Sequence, residues 1–231
     1  MAPAEKHTPF FNLIDALKTG RCPVCARISL RLNQFFDTLL YQNVNNRGFR
    51  ADLRANGGFC AHHAHDLAGW KDGLAVAIMH LEFLEAASRN GGVPKRPDAS
   101  RTRGRSTVSG GTGGSKAPAC PACRIVDSEA DTTLDLILQY GEDDEFLASF
   151  RESVGLCLPH YALLLEKNRR PAAGIVARQK EFLDALIQQT RDFIDSENVT
   201  AKVRPELSRE QRLVWKRLIA HYYGDRDAIP L

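Results

Sequence analysis

The chain reads as an all-α protein built from two pseudo-repeated helical modules, each stapled by a Cys3His metal site. Three observations carry that reading. A CxxC pair followed by a CxxH pair occurs twice, as Cys22-Pro-Val-Cys25 with Cys60-Ala-His62-His63 and as Cys120-Pro-Ala-Cys123 with Cys157-Leu-Pro-His160. The copies lie 98 residues apart at the first pair and 97 at the second, and they use all 6 cysteines. Between and after the motifs, apolar residues recur at three and four, the period of an amphipathic helix, with no βαβ pattern beside the cysteines.

The elements follow in order. In residues 9–20, Phe10, Leu13, Ile14 and Leu17 share one helical face, and Gly20 ends the helix just before the first CxxC. From Ala26 to Val44, Ile28, Leu32, Phe35, Phe36, Leu39 and Leu40 predict a long amphipathic helix, broken by Asn43-Val44-Asn45-Asn46. A short helix over Phe49–Ala55 leads through Gly57-Gly58 into Cys60, and the second copy reproduces it at an offset of 97. Phe49 matches Phe146, Ala51 matches Ala148, Leu53 matches Phe150, Arg54 matches Arg151 and Gly58 matches Gly155. A helix over Leu74–Ser88 places Ala77, Leu81 and Leu84 on one face, joined by Ile78. Its counterpart is a longer helix from Pro171 to Asp195 with a stripe of Ile175, Gln179, Phe182, Leu186, Thr190 and Phe193. Here Glu82-Phe83-Leu84-Glu85-Ala86 matches Glu181-Phe182-Leu183-Asp184-Ala185 at an offset of 99. Ser208 and Gln211 have capping-box spacing ahead of a last helix, Arg209–Tyr223, with Val214, Leu218 and Tyr222 on one face. The organisation that results is a first module over 1–88, a basic Gly/Ser/Arg linker over 89–118, a second module over 119–200 and a C-terminal amphipathic helix over 201–231.

The motifs predict metal ligands. Four thiolate or imidazole donors complete a tetrahedral zinc site and leave no open position for substrate. Two ligands three residues apart at a helix start point to one spot, and the Pro after the first Cys of each CPxC favours such a start. Within each copy the spacing pairs Cys22 and Cys25 with Cys60 and His63, and Cys120 and Cys123 with Cys157 and His160. His63 is the counterpart of His160 by register, while His62 stays an alternative ligand and His65 an extra. Zn2+, two per chain, is the expected metal; an iron–sulfur cluster and a dithiol redox pair are the alternatives. Arg54 and Arg151 are read either as donors to ligand sulfur or as ordinary surface residues.

The net charge of +3 conceals an asymmetry, because residues 89–118 hold seven Lys or Arg and one Asp, so the rest is net negative. This stretch has little to bury and reads as a flexible tether; it contains no aromatic residue for stacking on bases. No apolar run is long enough to span a bilayer and the N-terminus lacks a signal-peptide pattern, so a cytoplasmic location with reduced thiols is expected.

The CPVC motif, Val44-Asn45, Phe49-Arg50-Ala51-Asp52-Leu53-Arg54 leading to Gly58-Phe59-Cys60-Ala61-His62-His63, then CPAC and Gly155-Leu156-Cys157-Leu158-Pro159-His160, resemble an uncharacterised prokaryotic family classed as a domain of unknown function. The resemblance covers roughly 10–88 and 119–195. It implies a mostly helical protein with paired CPxC and CxxH ligands, and it brings no activity or substrate with it.

The chain shows no G-x-S-x-G, Walker loop or H-E-x-x-H. The function expected is therefore non-enzymatic: a zinc-binding helical module acting through a protein partner, with a homodimer as one option. Nucleic-acid binding through the linker and the last helix is the first alternative, and a thiol or iron–sulfur redox protein the second.

Overall fold

The structure is a computed structural model that describes residues 6–70, 72–89, 91, 120–168, 170–197, 206–209 and 211–225. Among these residues there are ten α-helices and no strand. We label them α1 (Thr8–Leu17), α2 (Pro23–Thr38), α3 (Arg47–Ala55), α4 (Ala61–Gly69), α5 (Gly73–Arg89), α6 (Pro121–Gln139), α7 (Asp144–Glu152), α8 (Leu158–Lys167), α9 (Ala173–Glu197) and α10 (Val214–Tyr223). The long helix expected to reach Val44 instead leaves α geometry at Thr38 and continues as a π-helical turn over Leu39–Asn43. Except for Arg89 and Gly91, the basic stretch 89–118 lies outside the described residues.

The chain forms two compact units, Met1–Arg27 with Ala130–Ile229 and Ile28–Glu129 with Pro230–Leu231. The division expected from the sequence, 1–88 and 119–200, follows the repeat, whereas each of these units takes helices from both copies of it. The division falls inside α2 and inside α6.

In the first unit α1 packs on α7, and α9 lies against α7 and α10. Phe10, Leu13 and Leu17 are fully buried, as their spacing requires, and the Phe10 ring meets Tyr140 edge-on at 4.7 Å. Asp143 caps α7 by accepting from the Glu145 and Phe146 backbone N–H groups, and Lys6 lies 3.0 Å from its carboxylate. Phe182, Leu186 and Val214 form the core between α9 and α10, with Val154 and Phe193 against it. The capping box forms as read: the Gln211 N–H donates to Ser208 Oγ at 3.2 Å, and the Ser208 N–H donates to Gln211 Oε1 at 2.8 Å. On α10, Val214 and His221 are buried while Tyr222 is exposed, so the face that packs is rotated from the one the periodicity suggests.

In the second unit α5 packs on α3 and α4, and Asn46 caps α3 by accepting from the Phe49 N–H. Phe36 and Phe59 are buried in an aromatic group with Phe35 and Trp70. Here α5 departs from expectation: its buried residues are Ala75 and Met79, while Leu74, Leu81 and Leu84 are exposed. A helix can carry two apolar stripes, and periodicity does not decide which one the rest of the chain covers.

Candidate metal centres

The first turns of four helices supply all eight candidate ligands, and they do so in one way. The carbonyls of Cys22, Cys60, Cys120 and Cys157 accept the N–H of the residue four positions on, at 2.9, 2.9, 3.2 and 2.9 Å. Each cysteine therefore stands where an N-cap stands, and its partner, Cys25, His63, Cys123 or His160, is the third helical residue. Those positions face each other across the opening turn, as they do in a capping box. Cys60 and Cys157 have the extended backbone of an N-cap, and Pro23 and Pro121 open α2 and α6 without losing a needed N–H. Four helix N-termini aim their positive ends at sulfur, which favours thiolate.

The pairs meet across the repeat. Cys22 and Cys25 join Cys157 and His160 in the first unit, and Cys60 and His63 join Cys120 and Cys123 in the second. The sets expected from spacing, each closed within its own copy, are thus exchanged. Spacing of three fixes which two ligands share a helix turn; which turns meet is decided by how the helices pack.

The separations fit one tetrahedral ion in each group. Two sulfurs about 2.3 Å from a shared ion at tetrahedral angles lie roughly 3.8 Å apart, and a sulfur and a nitrogen roughly 3.6 Å. In the first group Cys25 Sγ is 3.7 Å from Cys157 Sγ, and His160 Nδ1 is 3.6, 3.4 and 3.1 Å from the sulfurs of Cys22, Cys25 and Cys157. In the second, Cys60 Sγ is 3.7 Å from Cys123 Sγ, and His63 Nδ1 is 3.2, 3.6 and 3.4 Å from Cys60, Cys120 and Cys123. Bonded sulfurs would be about 2.05 Å apart, and all six cysteines are free. Seven of the eight ligands are buried; Cys60 is half-buried. Either group could hold a metal ion.

Protons alone distribute poorly over these groups. Burial opposes a thiolate at Cys22, yet hydrogen bonds from Cys157, Cys25 and His160 hold its thiol well below the usual range. Those to Cys22 and Cys25, with burial, push Cys157 far up. In the second group hydrogen bonds from Cys120 and Cys123 hold Cys60 far down, and those to Cys120 and Cys60 push Cys123 far up. Burial disfavours the His63 imidazolium, but Cys120 and Cys60 outweigh it and raise its pKa to about 9. A bound cation would let all three thiols of a group ionise together.

The surroundings of the two groups differ. Ahead of Cys157, Gly155 has φ +68°, and a Cβ there would lie 2.8 Å from Gln179 Oε1. The buried Gln179 accepts from the Leu156 N–H at 3.0 Å and donates to the Leu156 carbonyl at 2.7 Å, and Arg178 donates to the Ser153 carbonyl. Beyond α10, the Asp225 backbone lies close enough to Cys25 to favour its thiolate, and Arg21 Nε donates to the Asp225 carboxylate at 2.8 Å. His221, which stands alone in sequence, is buried with its ring 4.8 Å from that of Phe182. Nothing in the motif spacing points to Gln179, His221 or Asp225.

Ahead of Cys60, Gly58 has φ +84°, and a Cβ there would lie 3.2 Å from the Phe83 ring. Phe83 thus occupies the place that Gln179 takes in the other unit, an offset of 96. Met79 and Ile175, both buried, agree with that offset, so the sequence match at 99 is about one helical turn out of the structural register. His63 is the residue that faces the sulfurs. His62 lies aside, its Nε2 3.3 Å from Asp66 Oδ2 without hydrogen-bond geometry, and those two with His63 form a third cluster of ligand-type side chains. His65 is exposed. Arg54 pairs with Glu82, which also binds Arg50, and Arg151 is exposed, so the reading of these two as sulfur donors gives way to the simpler one.

No described helix is long and apolar enough to cross a membrane. The model of a family of unknown function (DUF6062) matches residues 94–200. An uncharacterised 23.9 kDa protein in the xynA 3′ region of Caldicellulosiruptor sp. (strain Rt8B.4) is 27% identical over 175 residues, 75% of this chain and 77% of that protein. No solved structure matches. The family match takes in Cys120, Cys123, Cys157 and His160, and with the relative it supports the likeness, first read from the motifs, to an uncharacterised family.

Proposed function

We propose that the protein binds two zinc ions in closed structural sites and serves as a non-enzymatic helical module that engages another macromolecule. The observation that carries this is the set of buried donors, three sulfurs and one nitrogen per group, with sulfurs 3.7 Å apart. Four protein ligands fill a tetrahedral ion and leave no place for substrate. An iron–sulfur cluster spreads its four ligands over two or four irons, so they cannot all converge on one point; here the four donors of each group lie within 4.8 Å of one another, which favours a single metal. With three thiolates and a neutral imidazole around a divalent ion, each site carries a net charge of about −1. Such sites need reduced thiols, which fits a reducing compartment such as the cytoplasm.

Of the basic features that nucleic-acid binding would use, Arg217 on α10 is taken up by Gln189 and lies over the Phe182 ring. This weakens that alternative. A redox role is favoured by one observation, the half-buried Cys60, which gives oxidants a way to the second site that the first lacks.

Elemental analysis of protein purified without added metal, together with its visible spectrum, tests the proposal. Two zinc per chain and no colour are expected. Iron with sulfide would replace the reading with electron transfer, and unchanged helicity in a verified metal-free sample would remove the structural role.

A further inference from the structure

We propose that the cleft between α8, α9 and α10 binds a medium-chain carboxylate, its alkyl chain in the cleft and its carboxylate on Arg191. The cleft has a volume of about 300 Å3, at the lower end of the range for small-molecule sites. Its wall is almost all carbon, supplied by Leu158 of α8, by Leu183, Leu186 and Ile187 of α9 and by Leu218 of α10. A methylene needs about the room of a water molecule in the liquid, roughly 30 Å3, so a chain of about ten carbons fills the space.

The cleft follows the seam between two helices. His221 meets the Phe182 ring while Arg217, one turn earlier, donates to Gln189, so α9 and α10 run antiparallel. His221 therefore stands at one end of the cleft and Arg191 at the other, and residues 183 to 191 of α9 cover about 12 Å.

Charge decides which end takes the polar group. No carboxylate lines the cleft, and burial lowers the pKa of His221, which leaves its ring neutral at pH 7. Arg191 is the one cation on the wall. The other two cations of α9 are engaged, since Arg178 donates to the Ser153 carbonyl and Lys180 pairs with Asp184. Arg191 has no ion pair or hydrogen bond among the described residues, although Asp195 follows it by one turn. An unpaired guanidinium at the mouth of an apolar slot suits a ligand that is carbon along its length and anionic at one end.

The repeat does not account for this cleft. At the structural offset of 96 the last residue of α5, Arg89, falls on Ala185, so the rest of α9 and the whole of α10 are additions to the repeated unit. Leu186, Ile187 and Arg191 lie on the first addition, and Leu218 and His221 on the second. None of these five is a candidate metal ligand, so the proposal stands apart from which ion is bound.

The test is isothermal titration calorimetry of the full chain with decanoate, octanoate and octan-1-ol. One decanoate per chain is expected, with a Kd on the order of 10–100 µM. Octanoate should bind about tenfold more weakly, for want of two methylenes, and octan-1-ol about tenfold more weakly again. Arg191→Gln should bring octanoate down to the level of octan-1-ol and leave the alcohol unchanged, which a merely structural arginine would not do. Ile187→Asp removes part of the apolar wall and sets a carboxylate one turn from Arg191. It should weaken decanoate at least tenfold with helicity retained, because Ile187 is 48% exposed. Absence of saturable heat up to about 1 mM decanoate overturns the proposal. So does an alcohol that binds as tightly as the acid, which would make the cleft a seat for an uncharged apolar group, or binding indifferent to both substitutions. A chain found to hold no zinc that still takes one decanoate would sink the zinc reading and leave the cleft standing.

Discussion

The two candidate metal groups use the same donor types at the same helix positions, yet the chain encloses them differently. Around the first, all four ligands are buried, Gln179 clamps the extended approach to Cys157, and Asp225, held by Arg21, lies beside Cys25. Around the second, Cys60 is half-buried and an aromatic ring, that of Phe83, stands where the first has the amide clamp. A ligand set decides what is bound; the shell around it decides how readily the ion is reached.

The largest expected effect breaks both halves of this comparison together. Removing metal should unfold each unit, at a cost on the order of 10 kcal/mol per site, read as loss of helical circular dichroism. Release should come in two phases, with the Cys60 group first, as followed by a chromogenic chelator; a single phase would deny that enclosure matters. Because the thiolates must take up protons as the ion leaves, retention is full at high pH and is lost as pH falls, in the same order.

Single ligands sharpen the comparison. Cys157→Ser and Cys60→Ser should each lower the content from two ions to one. The remaining ion should then be the slow one in Cys60→Ser and the fast one in Cys157→Ser. If both variants release at one rate, the sites are equivalent.

The glycines ahead of the second ligand pair test the shells. Gly155→Ala adds a methyl 2.8 Å from Gln179 Oε1 at positive φ and should cost about 2–4 kcal/mol in denaturant unfolding. Gly58→Ala meets the Phe83 ring at 3.2 Å, which the half-buried side chain relieves by pivoting, so about 1–2 kcal/mol is expected. Equal costs would remove the distinction between clamp and ring. Smallest is the loss of helix caps: Asp143→Ala and Asn46→Ala should each cost about 1 kcal/mol without changing metal content.

Much of this was legible in the sequence where the physics is local. Helix periodicity and the repeat located seven of the ten described helices, leaving α4, α6 and α8 unassigned; the stripe through Ile175, Phe182 and Leu186 is the buried one, and the Ser208/Gln211 box forms with both of its hydrogen bonds. The eight candidate ligands stood out because N-cap and third-residue positions converge within one turn. What stayed hidden is what only packing decides. Cys22 meets Cys157 rather than Cys60, a choice made 138 residues away from its consequence at His160. Buried Ala75 and Met79 outrank the more conspicuous leucines of α5, and Gln179, a polar residue on an apolar stripe, is buried for the two hydrogen bonds it makes to Leu156.

The exchange of ligand pairs orders events as the chain leaves the ribosome. The sites are nested: Cys60 and Cys123 are 63 residues apart, and that segment lies inside the 132 residues between Cys25 and Cys157. Emergence of Cys123 completes the inner set, while Cys22 and Cys25 wait as bare thiols until His160 appears. The inner ring is also the cheaper one to close, since closure entropy grows with the logarithm of length. A nascent chain arrested after the first copy of the repeat would hold two half-sites and no whole one, so a fragment ending there has to borrow its missing ligands from the other half supplied in trans.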